Sequence, residues 1–136
     1  MAKAKEFRVT IEDKPGALGN CFRALAERGV NILAFQSYVE EHESLVRFIA
    51  DDPATAKAVL GSLRMNFEEN EAAVVSLPHR PGELGRAASR LGEKKVNIDY
   101  SYGGMEPGSA RAMLVFGVDN VTVASNAFDE LAAEEK

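Results

Sequence analysis

The chain has one cysteine, Cys21, in 136 residues, so no disulfide forms within it. It has two histidines, His42 and His79, which with a single thiol fall short of the three or four ligands that a protein-built zinc site takes. No apolar run approaches the ~20 residues that span a bilayer, and the opening MAKAKEF has no stretch resembling a signal peptide. A basic excess is missing too. The net charge is −5, with nine basic and ten acidic residues up to Glu68 and seven and eleven after it. Phosphate backbones are held by clustered Lys and Arg, so neither half suits nucleic acid. The expectation is a soluble cytoplasmic protein with no membrane partner, no metal and no cofactor.

What the chain does have is a repeat, the first feature to seek in any sequence. DKPGALGNCFRALAERGVNI at residues 13–32 returns as HRPGELGRAASRLGEKKVNI at residues 79–98, with nine of the twenty positions identical at an offset of 66. Further on the offset is 68, pairing Phe48 with Phe116, Asp51 with Asp119, Leu60 with Phe128 and Leu63 with Leu131. The two extra residues fall where EEHES corresponds to GGMEPGSA, read as a hairpin, and insertions belong in loops.

Each copy carries the same pattern. EFRVTIE alternates, placing Phe7, Val9 and Ile11 on one face of a strand, and AAVVSLP is its counterpart. Pro15 and Pro81 preset a turn. Leu18, Cys21, Phe22 and Leu25, and then Leu84, Ala87, Ala88 and Leu91, come next at helical spacing with one buried face. Val-Asn-Ile opens a second strand, a hairpin leads to a third (LVRFIAD, AMLVFGVD), and a second helix buries Ala56, Val59, Leu60 and Leu63, or Ala124, Ala127, Phe128 and Leu131. The stretches DDPATA, with Pro53 near the first turn, and DNVTVA carry residues suited to the starts of these helices.

The order β-α-β-β-α, with a final strand expected, is the ferredoxin-like split βαβ: an antiparallel sheet with both helices on one face. The fold class is therefore α+β, two tandem ferredoxin-like βαββαβ domains at 1–69 and 70–136. After Leu131 only AAEEK remains, so the second copy is expected to lack its own last strand. Open sheet edges are usually covered. Either Phe67–Leu77 forms one long strand shared between the copies, or a second chain covers the edge.

The Pro-Gly-x-Leu turn, the helix and the Val-Asn-Ile strand, repeated at constant spacing, resemble the ACT domain over nearly the whole chain. The resemblance implies a non-catalytic regulatory protein, a sensor of a free amino acid or related small metabolite, commonly bound between paired domains. It implies a homodimer, acting in trans on a metabolic enzyme. The residues give a physical reason. Gly16 and Gly82 let backbone approach a ligand, and the first N–H groups of the adjoining helix, at Gly16, Ala17 and Leu18 and at Gly82, Glu83 and Leu84, favour a carboxylate. Asn31 and Asn97 each offer an amide donor and acceptor. The expected ligand-binding set is Asp13, Pro15, Gly16, Ala17, Leu18 and Asn31, with His79, Pro81, Gly82, Glu83, Leu84 and Asn97 in the second copy. Asp13 suits a ligand ammonium and His79 does not, so the first loop is favoured.

Other readings stay open. A ligand-free association module fits the same residues. An enzyme lacks support, since no Ser-His-Asp, Cys-His or carboxylate constellation is legible. RNA recognition on this topology needs aromatics on the central strands and a basic surface. Cys21 is expected in the core, His42 in a solvated hairpin, Tyr100 and Tyr102 packed on one strand face, and GGMEPGS at a hairpin tip.

Overall fold

The structure, a computed structural model, describes residues 2–104 and 107–135. Met105 and Glu106 of the expected GGMEPGS tip lie outside the described residues. The elements are β1 (Lys3–Glu12), α1 (Ala17–Glu27), β2 (Ile32–Glu40), β3 (Glu43–Ala50), α2 (Pro53–Ser62), β4 (Asn66–Pro78), α3 (Glu83–Glu93), β5 (Ile98–Gly104), β6 (Arg111–Val118) and α4 (Val121–Glu134). They form two compact units. The first is Lys5–Asn70; the second is Glu71–Lys136 together with Met1–Ala4.

In the first unit the strands lie in the order β2-β3-β1-β4. β3 pairs antiparallel with β1 and β2, with Phe7 opposite Phe48 and Phe48 opposite Phe35. Alternation sends Phe7, Val9 and Ile11 into the core, as their spacing predicts. There the Phe7 and Phe48 rings stack at 5.4 Å, and Phe22 of α1 meets Phe48 edge-on at 6.0 Å. Cys21 and Leu25 of α1 and Ala56, Val59 and Leu60 of α2 close the core. Glu41 and His42 join β2 to β3 with φ of 48° and 70°. This is the two-residue hairpin turn whose twist matches that of its strands, and it leaves His42 in solvent. Asp52 caps α2, its carboxylate accepting from the Thr55 N–H at 3.1 Å.

The second unit repeats this arrangement with β5-β6-β4. Phe116, Phe128, Leu91 and Leu77 fill its core, and Asn120 caps α4 through the Val123 N–H at 3.1 Å. Tyr100 and Tyr102 share a face of β5, their rings stacked at 6.4 Å. A Cβ on Gly117 of β6 would fall 2.0 Å from the Tyr100 ring. Glycine there is what lets the ring lie across the strand.

At the sheet edge the first alternative holds, while the burial of Leu63 and Leu84 needs correction. The long strand is present, as β4 runs unbroken from Asn66 to Pro78, and among the described residues no strand comes after α4. Yet no second chain is needed at that edge. Residues 2–4 take the place of the last strand. The Val74 N–H donates to the Ala2 carbonyl at 3.0 Å, Lys3 pairs with Glu71 at 3.9 Å, and Ala2 packs on the second core. Leu63 and Leu84 are not buried but 51% and 55% exposed. Helix α2 stops at Ser62 and the chain reverses through Arg64 at φ 55° into β4, which strands Leu63 outside. Helix α4 continues to Glu134 and keeps the equivalent Leu131 fully buried. In α3 the buried place beside Leu84 goes to Glu83.

Candidate functional site

Each Pro-Gly turn has the same geometry, and proline and glycine have separate duties in it. Pro15 and Pro81 sit second in a four-residue turn, where their fixed φ fits. Gly16 and Gly82 sit third, at φ 88° and 93°, a left-handed conformation that a Cβ would penalise. The turns close by Ala17 N–H to the Lys14 carbonyl at 3.3 Å and Glu83 N–H to the Arg80 carbonyl at 3.4 Å. Helices α1 and α3 start immediately afterwards, with no side-chain cap on either. The turn thus takes the N–H groups of Ala17 and Glu83, while those of Leu18 and Leu84 meet no side-chain cap.

Asn31 and Asn97 are held in place by a device absent from the expected site. The Asn31 N–H donates to the Asp51 carboxylate at 2.8 Å while its carbonyl accepts the Asp51 N–H at 3.0 Å. Asn97 and Asp119 do the same at 3.0 and 3.2 Å. Asp51 and Asp119 occupy equivalent positions of the repeat, and that equivalence is the signal in the sequence that marks them.

The two copies diverge at the groups a ligand would meet. The Asn31 amide is exposed and has no hydrogen-bond partner among the described residues. The Asn97 amide donates to Asp99 at 3.2 Å. The first turn of α1 holds no acidic residue, whereas α3 begins with Glu83, buried and clamped by Arg86 at 2.9 Å and Arg80 at 3.0 Å. Hydrogen bonds from Arg86 and then Arg80 hold the Glu83 carboxyl below the usual carboxylate range. Charge at the second loop is therefore satisfied from within. On the first loop Lys14 pairs with Glu12 at 2.8 Å, which raises the lysine and lowers the glutamate, and Asp13 is exposed.

Enclosure runs the other way. His79, Pro81, Gly82, Glu83 and Leu84 line one cavity of about 360 Å³, floored by Leu77, Ala112 and Leu114; Asn97 is not among its walls. His79 is fixed there, its Nδ1 donating to the Ser109 carbonyl at 3.0 Å. On the first loop Ala17 and Asp13 open onto separate cavities of about 470 and 370 Å³, and Asn31 lines neither. So the structure gathers most of the second set around one cavity and spreads the first over two, and Asn31 and Asn97 line none of these three. Among the described residues, no group of three His, Cys, Asp or Glu could hold a metal, and no helix is long and apolar enough to cross a membrane.

The carboxylates of the second unit also set a pH response. Arg90 lowers Glu134, and Arg111 lowers Glu135 as Arg86 and Arg80 lower Glu83. A carboxylate lowered in the folded state stabilises the fold above its unfolded value and loses that contribution as pH falls through the folded one. Urea midpoints are therefore expected to hold down to the ordinary glutamate value near 4.5 and to fall below it. Glu83→Gln, measured over the same series, is expected to lower the neutral midpoint and flatten the fall.

The chain shares its fold with proteins of known structure. No curated protein matches it. Among solved structures, protein BT0572 of Bacteroides thetaiotaomicron superposes with a TM-score of 0.86 at 23% identity, covering 96% of this chain and 90% of that one. The ligand-free regulatory subunit of aspartate kinase from Thermus thermophilus gives 0.70 at 18% identity, over 99% and 93%. The corresponding subunit from Thermus flavus gives 0.58 at 19%, over 96% and 92%. At these identities the likeness is one of fold. The family match is local and falls on the first copy of the repeat: residues 5–64 fit the ACT domain.

Proposed function

We propose that the chain is a non-catalytic regulatory protein of two ACT-type domains that binds a free amino acid or related small metabolite at the first Pro-Gly loop. The observation that carries this is the Asn31 amide. It is exposed, unbonded among the described residues and held by its backbone to Asp51, and it lies within the stretch that fits the ACT domain. The α1 N-terminus supplies N–H groups for a ligand carboxylate, and Asp13 a countercharge for its ammonium. Glu83 and the Asn97–Asp99 bond argue against equal binding at the second loop.

Asn31 lines neither of the two cavities described on the first loop, which favours a site completed by a second copy. The β2 edge of the first unit offers the surface for a homodimer. Leu33, Phe35 and Val39 are 49%, 54% and 58% exposed there, on a strand with one neighbour, β3. Isolated apolar residues need no explanation, but three along one edge strand do. The same edge supports the alternative, a ligand-free module that associates with an enzyme. A thermal-shift screen against the common amino acids and their precursors separates the two. A ligand that binds only the folded state stabilises it by about 2.7 kcal/mol at a hundredfold excess over Kd. One concentration-dependent hit is expected; silence from every compound would leave the association module.

A further inference from the structure

The repeat gives each residue of the second Pro-Gly loop a counterpart in the first, and at one position the two differ in kind. Ala17, the first residue of α1, corresponds to Glu83, the first of α3, at the same offset of 66 that relates the two turns. Its neighbours change with it: Lys14 becomes Arg80 and Asn20 becomes Arg86. In the second unit these three form one closed group. Arg86 donates to Glu83 Oε1 at 2.9 Å and Arg80 to Oε2 at 3.0 Å, so each carboxylate oxygen has its own guanidinium. In the first unit the corresponding groups are engaged elsewhere. Lys14 pairs with Glu12 at 2.8 Å, and Asn20 accepts from Arg23 at 3.3 Å.

Burial sets this group apart from a surface ion pair. The Glu83 side chain is 11% exposed, whereas those of Arg80 and Arg86 are 63% and 32% exposed. A carboxylate is costly to bury and stays charged there only when its oxygens are bonded. Glu83 also forms part of the wall of the cavity of about 360 Å³, beside His79 and Arg80. It thus brings a carboxylate to a place where the first unit has only the methyl group of Ala17.

We propose that the second loop is a carboxylate site that the chain fills with its own side chain. Arg80 and Arg86 are the receptor, and Glu83 is a tethered ligand that keeps external carboxylates out. A tethered group competes at an effective concentration on the order of millimolar or above, which a dilute free anion does not reach. The second unit is thereby held in one filled state at all times. Joined to the amino-acid reading of the first loop, on which this count alone rests, the closure leaves one exchangeable ligand per chain.

Glu83→Ala writes the first unit's residue into the second and deletes a fragment that acetate replaces atom for atom. Sodium acetate, against sodium chloride at equal ionic strength, is expected to raise the melting temperature of Glu83→Ala saturably and to leave that of the wild type at its chloride value. Where the variant is unfolded without acetate, the same titration reads the return of its helical circular dichroism. Glu83→Ala with Arg86→Asn removes half of the receptor, while Glu134 keeps Arg90 at 2.9 Å. This double variant is expected to bind acetate at least ~10-fold more weakly, the scale of a lost charge-assisted contact. No acetate effect beyond that of chloride, an equal effect on the wild type, or undiminished affinity in the double variant would overturn the proposal. No amino acid enters this test, so a silent thermal screen would remove the sensor reading and leave the tethered carboxylate standing.

Discussion

Asn31→Ala is expected to weaken amino-acid binding by ~10-fold or more, with little change in melting temperature of the free protein. A hydrogen bond to a charged group is worth about 1.5–3 kcal/mol, and about 1.4 kcal/mol is a factor of ten. The fold is spared because Asp51 holds residue 31 by its backbone N–H and carbonyl, which alanine retains. Asn97→Ala is the paired measurement. Its amide is spent on Asp99 and its helix N-terminus is shared with Glu83, so ligand affinity is expected to stay at the wild-type level. Calorimetric titration with the hit of the thermal screen reads both. If both single variants and the double variant bind like the wild type, the asparagines are structural and the site lies elsewhere.

Phe48→Ala is expected to cost about 3–5 kcal/mol, the range for deleting a buried aromatic ring. Phe48 has no exposed surface, and its ring meets Phe7 at 5.4 Å and Phe22 at 6.0 Å. Removing it leaves a cavity between β1, β3 and α1. Phe35 lies opposite it across β2 and β3 and is 54% exposed, touching Phe22 at 5.4 Å. Phe35→Ala is expected to cost about 1 kcal/mol, the scale of one aromatic pair. Urea unfolding gives both numbers. Similar losses for the two variants would mean that β2 contributes to the core as fully as β3.

Most of the fold was legible because it rests on local periodicity. The alternation of Phe7, Val9 and Ile11, the helical series ending at Leu25 and the capping residues Asp52 and Asn120 depend on near neighbours in the chain. The features that were not legible depend on distant ones. Nothing in the spacing of Leu63 distinguishes it from Leu131. The difference lies in the next few residues, a reversal at Arg64 in one copy and another turn of helix in the other. Residues 2–4 carry no alternation long enough to announce a strand, and their partner lies about 70 positions away. The site was half legible for a similar reason. The turns could be read from Pro-Gly, but Asp51 and Asp119 act through their carboxylates on backbone far along the chain. The clamp on Glu83 was not legible either, since a lone residue type does not reveal that arginines three positions to either side will neutralise it.

The use of residues 2–4 as a last strand also fixes an order of events. These residues are made about 70 residues before the strand they border, and the helices that complete its core come later still. At roughly 5–20 residues per second the wait is several seconds or more. The first unit, Lys5–Asn70, is complete in the nascent chain before the second has its sheet. The beginning of β1 must therefore stay solvent-compatible during that interval, and its sequence, Ala-Lys-Ala, is short, small and charged. Such a strand resists pairing with the edges of neighbouring nascent chains while it waits for its own.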